Sequence, residues 1–151
     1  MCIRDSFMSD PVAGLAEMGR VTRRGGVVAA CVWDHAGGQS PLSPFWAAVR
    51  VLEPEVDDES GLPGAREGHL AELFDAAGFR EIDATTVTAT VEHRTFEEWW
   101  TPFTFGIGPA GAFVAGLSKD QQTELSELCR ERLPDAPFII TARAWAARGL
   151  A

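Results

Sequence analysis

Val27 to Trp33 reads V-V-A-A-C-V-W, an unbroken apolar run of strand length. Such a run predicts a strand covered on both faces, because a strand with one wet side alternates apolar and polar positions. The residues before it predict a helix. Asp10 is placed to accept from the orphan N–H groups of the first turn, Pro11 needs no N–H bond at the first helical position, and Gly25-Gly26 permits a left-handed exit. Arg23 and Arg24 suit the negative end of the helix dipole. A helix that feeds into a buried strand predicts an α/β fold.

The pattern further on is helical, then extended. Pro44 with Phe45, Trp46, Val49 and Leu52 predicts a helix carrying one apolar stripe. Leu70, Leu73, Phe74 and Ala77 lie on one face of a second helix, from His69, which Gly78 terminates. Ile82 to Val91 has strand propensity, with Val87, Ala89 and Val91 on one face and threonines on the other. Pro137 to Ala146 alternates in the same way and is predicted to pair with it. Between those strands lie about forty-five residues, far more than a hairpin needs, so 95–136 is a helical insertion. Thr95 with Glu98 opens a short aromatic helix through Trp99 and Trp100. Ser118 with Gln121 opens another, carrying Leu125, Leu128 and Leu133.

Composition narrows the function classes. The chain has 151 residues, 46% of them apolar, enough for one core. No stretch approaches the roughly 20 apolar residues of a membrane helix, and the start lacks the basic and apolar regions of a secretory signal, so no membrane partner and a cytoplasmic location are expected. A net charge of −9 argues against nucleic acid, whose affinity comes largely from Lys and Arg neutralising phosphates. Cys2, Cys31 and Cys129 lack C-x-x-C spacing, and Cys31 falls inside the predicted buried strand, so neither a disulfide framework nor zinc is expected. The acidic run Glu53 to Glu59 leads into Gly61-Leu62-Pro63-Gly64 and reads as an exposed, solvated loop. Its consecutive acids lack the alternate-position spacing of a calcium loop, and no metal is assigned.

Two segments carry a resemblance. Glu17-Met18-Gly19-Arg20-Val21-Thr22-Arg23-Arg24-Gly25-Gly26 resembles the E-x-x-R-V-L-K-P-G-G signature that precedes the fifth strand of class I S-adenosylmethionine-dependent methyltransferases, with Thr22 and Arg24 differing. His69 to Phe79 is similar to the family's last core helix, which ends in an A-G-F turn before the sixth strand. The resemblance implies a Rossmann-like sheet with an antiparallel edge pair. It also implies S-adenosylmethionine as cofactor and a small-molecule acceptor. The family's glycine-rich turn after the first strand and its ribose-binding acid are absent from the sequence. The 151 residues therefore look like one partial domain, the C-terminal half, with an irregular start over 1–9; Met1 to Ser6 matches nothing in the family. On its own the chain is expected to bind the cofactor weakly or not at all.

Candidate site residues follow from both readings. Trp33, Asp34 and His35 close the first strand, at the end where open α/β sheets place ligands. His35, with a reference pKa of about 6.5, is the candidate general base, against the plainer reading of an exposed loop histidine. His69 and His93 receive no role. Trp33, Trp99, Trp100 and Phe103 are candidates for the wall of an acceptor pocket, since methyl transfer gains from a dry, shaped cavity; the alternative is that the aromatic rings only pack. Phe7 falls where the resemblance implies a cofactor contact. Two other classes stay open: a non-catalytic module that uses the aromatic insertion as a docking surface, and a half-domain that completes its sheet with another chain.

Overall fold

The computed structural model describes residues 8–151. Among the described residues six α-helices and three strands follow one another as α1 (Pro11–Val21), β1 (Val27–Trp33), α2 (Ser43–Leu52), α3 (His69–Ala76), β2 (Arg80–His93), α4 (Phe96–Trp100), α5 (Gly108–Gly116), α6 (Lys119–Arg132) and β3 (Phe138–Leu150). The fold class is α/β, with an open antiparallel sheet in the order β1-β3-β2. β3, last in sequence, lies between the other two. Its register against β1 runs from Val27 opposite Leu150 to Trp33 opposite Ala144. Among the described residues no helix is long and apolar enough to cross a membrane.

Local chemistry sets the helix ends. The Asp10 carboxylate accepts from the Ala13 N–H at 2.9 Å, and Pro11 starts α1 where no N–H is needed. Arg23 and Arg24 lie beyond the end of this helix, whose last-turn base is Arg20, paired with Glu17. At the end of α3 the Gly78 N–H donates to the Asp75 carbonyl at 2.9 Å and the Phe79 N–H to the Phe74 carbonyl at 3.2 Å. This double closure needs a left-handed residue, and Gly78 has φ +85°. The Ser118 and Gln121 side chains cap α6 reciprocally, at 3.3 and 2.9 Å. At α4, Thr95 accepts from the Glu98 N–H, while the Glu98 carboxylate reaches back to Arg94, one residue before the cap.

The chain divides into two compact units. One gathers the segments up to Ser40, Ser60–Thr88 and Ala142–Ala151; the other gathers Pro41–Glu59 and Ala89–Thr141. The predicted insertion thus shares its unit with α2. In the first unit α1 packs on α3, and Leu15, Val28, Val32, Leu70, Leu73, Phe74, Phe79 and Ala147 form the core. Burying each large apolar side chain contributes about 1.5–3 kcal/mol. Gly149 lets β3 approach this layer, since a Cβ there would stand 2.8 Å from the Phe79 Cβ. In the second unit α2 packs on α6 around Phe45, Val49, Phe96, Trp99, Phe103, Val114, Leu125 and Cys129.

One expectation about strand faces is corrected. β1 is covered on one face only: Val28 and Val32 are buried, whereas Val27, Ala29 and Cys31 are exposed. α1 and α3 supply one apolar layer, and small side chains such as Ala29 and Cys31 leave little apolar area on the other side. The Val87, Ala89, Val91 face of β2 is likewise exposed, as are its threonines.

Candidate functional site

At the end of β1 the chain turns at Asp34, whose side chain is 1% exposed. A buried carboxylate demands charged or hydrogen-bonding partners, and this one has three donors. Arg143 Nε and Nη2 donate to Oδ2 at 3.0 and 2.5 Å, and the Gly37 N–H donates to Oδ1 at 2.8 Å. The backbone repeats the connection. Asp34 donates to the Arg143 carbonyl at 2.9 Å, Arg143 to the Gln39 carbonyl at 2.8 Å, and Gln39 to the Asp34 carbonyl at 2.9 Å. The loop 34–39 is therefore held against β3 by side chain and main chain together.

Trp33 and His35 flank this ion pair in sequence, and both are half-buried. The His35 N–H donates to the Trp33 carbonyl at 2.9 Å, which tightens the turn. Arg143, 36% exposed at its side chain, lies over the Trp145 ring at 4.8 Å from the centroid. Among the described residues the buried Trp145 Nε1 has no hydrogen-bond partner. Nearby in the sequence of this unit, His69 accepts at Nδ1 from the Gly64 N–H at 3.3 Å, a structural use of its ring.

A cradle for S-adenosylmethionine needs glycine amides free to face the ligand. Gly37 and Gly38, the glycine pair that follows β1, do not offer them. Gly37 donates to Asp34, Gly38 donates to the His35 carbonyl at 3.1 Å, and a Cβ at Gly37 would stand 2.5 Å from Asp34 Oδ2. The space beside this turn is filled by the chain's own carboxylate. The Gly37-Gly38 turn therefore does not fit the cofactor's cradle, and Phe7 lies outside the described residues together with Met1 to Ser6.

The other aromatic candidates belong to the second unit, where they come together. Phe45 stacks on Phe103 with centroids 4.5 Å apart, and Trp99 meets Phe103 edge-on at 5.0 Å. Trp100 lies 6.2 Å from Phe96, nearly parallel. Trp99 and Phe103 are buried in the core of this unit, whereas Trp100 is half-buried and reaches its surface. Of the three, only Trp100 is partly exposed.

The acidic run is exposed at Glu53, Glu55 and Asp57, as its composition predicts, but not at its end. Glu59 is 6% exposed, and its Oε2 accepts from Trp46 Nε1 at 2.9 Å. Asp58 is 5% exposed at its side chain and pairs with Arg50. A legible signal existed: a buried indole needs an acceptor, and Trp46 sits on the helix just before the run. Among the described residues no three His, Cys, Asp or Glu side chains converge. Burial pushes the Cys129 thiol up to about 12.

Comparison with models of known protein families and with curated proteins returns no match.

Proposed function

We propose that this chain is the C-terminal, substrate-side half of a class I S-adenosylmethionine-dependent methyltransferase that acts on a small, fairly apolar acceptor. The strand arrangement supports this reading most. The resemblance asks for a helix and glycine turn leading into a strand, then a helix ending in A-G-F, then an antiparallel pair at the sheet edge. α1 and Gly25-Gly26 lead into β1, α3 ends in the Gly78-Phe79 turn, and β3 joins β2 at the edge.

In this reading a glycine-rich segment outside these residues holds the cofactor, because the Gly37-Gly38 turn has spent its amides internally. The chain contributes orientation and exclusion of water at the acceptor, and His35 beside the rigid Asp34–Arg143 turn is the candidate base. The test is calorimetry with S-adenosylmethionine on the 151 residues alone and on the same residues joined to their upstream coding sequence. Binding only in the extended protein is expected. Micromolar affinity in the short chain, or none in the extended one, overturns the proposal.

A further inference from the structure

We infer that two copies of this chain join through the outer edge of β1, strand beside antiparallel strand, so that one sheet runs through both. The β1–β3 register fixes which groups that edge offers. Asp34 donates to the Arg143 carbonyl and Ala151 to the Gly26 carbonyl, and these two pairs continue the register that sets Val27 opposite Leu150. Hydrogen-bonded pairs alternate along an antiparallel ladder, so the even residues Val28, Ala30 and Val32 bond to β3 and the odd ones point away from it. Among the described residues the outward N–H and C=O groups of Val27, Ala29 and Cys31 meet no further strand. Such an edge is a template for another strand.

The sequence defends one outer strand and not the other. β2 carries Arg80, Glu81, Asp83 and Glu92, and Glu81 sits at φ +50°, a left-handed step that interrupts regular pairing. β1 has no charge, no proline and no left-handed residue. Charge selects the occupant. Two bodies of net charge −9 repel each other, but β1 brings no acid to the contact, and exposed Arg23 and Arg24, just before it, attract an acidic neighbour. Among the described residues neither arginine has an ion pair. Overlap about Ala30 sets Val27 opposite the partner's Trp33, Ala29 opposite the partner's Cys31 and Arg24 opposite the partner's Ala36, so no like charges meet along the seam. The two-fold consumes both edges and assembly stops at two. This pairing does not rest on the proposed function.

The experiment compares the full chain at about 10 µM and about 1 mM, a range over which so short a seam should carry it from monomer to dimer. Sedimentation equilibrium reads the mass, and amide hydrogen exchange reads the edge. On concentration the amides of Ala29 and Cys31 should slow about tenfold, whereas those of Val28, Ala30 and Val32, bonded to β3, should be slow throughout. Ala29→Pro removes an outward N–H without taking a bond from β3, and should weaken dimerisation about tenfold. Because proline can disturb β1 itself, the exchange pattern of the unaltered protein is the deciding readout. A monomer at the higher concentration, a dimer in which Ala29 and Cys31 stay fast, or assembly beyond two copies overturns the proposal. So does Ala29→Pro that dimerises like the unaltered chain. Protection of Ala29 and Cys31 at both concentrations in a monomer would place another segment of the same chain on the edge, and overturns it as well.

Discussion

Asp34 and Arg143, 109 positions apart in the chain, meet on one carboxylate oxygen, with Nε and Nη2 of the arginine both donating to Oδ2. Removing the arginine strands a nearly inaccessible charge whose remaining side-chain bond comes from Gly37. Arg143→Met should therefore destabilise the protein by about 2–4 kcal/mol, while Asp34→Asn, which keeps the shape and an acceptor, should cost less. Urea denaturation checks both. A midpoint unchanged in Arg143→Met would show that the pair contributes nothing.

The α3 terminus makes a second prediction. Gly78 sits at φ +85°, and nothing lies within 4 Å of a Cβ built there, so Gly78→Ala suffers from backbone conformation alone. The expected cost is about 1 kcal/mol. Phe74→Ala, which empties a fully buried site, should cost about 3–5 kcal/mol. Thermal melts of the two variants should rank in that order; equal shifts would contradict it.

How much of this was legible depends on the range of the chemistry. Asp10, Gly78 and Ser118 act on neighbours within a few residues, so their roles could be read from sequence, and α1, α3 and α6 followed. The run Val27 to Trp33 announced a strand but not how many faces are covered, because exposed Ala29 and Cys31 look the same in sequence as buried ones. α5 escaped notice: Gly108, Pro109, Ala110 and Gly111 give no apolar stripe to recognise. Arg143 is a different case. It meets its partner only after folding, and no spacing rule links Asp34 to a residue on β3.

The cysteines should separate by accessibility. Cys129 is buried with its thiol pushed up to about 12, while Cys31 is exposed, although partial burial raises its thiol as well. With iodoacetamide at mildly alkaline pH, mass mapping should find Cys31 modified and Cys129 protected until denaturant is added. The native state keeps a proton on Cys129 that the unfolded chain begins to lose near its ordinary value of 9.0, so stability should fall as pH rises from there towards 12. Cys129→Ala should lessen that alkaline loss; an identical decline would assign it to other groups.

Trp99 and Trp100 are adjacent but should respond differently. Trp99→Ala removes a core ring and should lower stability by about 3–5 kcal/mol. Trp100→Ala should cost less and, if the proposed methyltransferase reading holds, raise the acceptor KM of the extended protein. A KM unchanged alongside a lower Tm would make Trp100 packing only.

The placement of β3 between β1 and β2 has a consequence for biosynthesis. Until β3 has left the ribosome, the two earlier strands share no neighbour, and nascent chains must wait with the backbone edges of β1 and β2 unpaired. Partners so distant along the polypeptide join slowly. The interval before closure is when a chaperone would find this protein most in need of shelter.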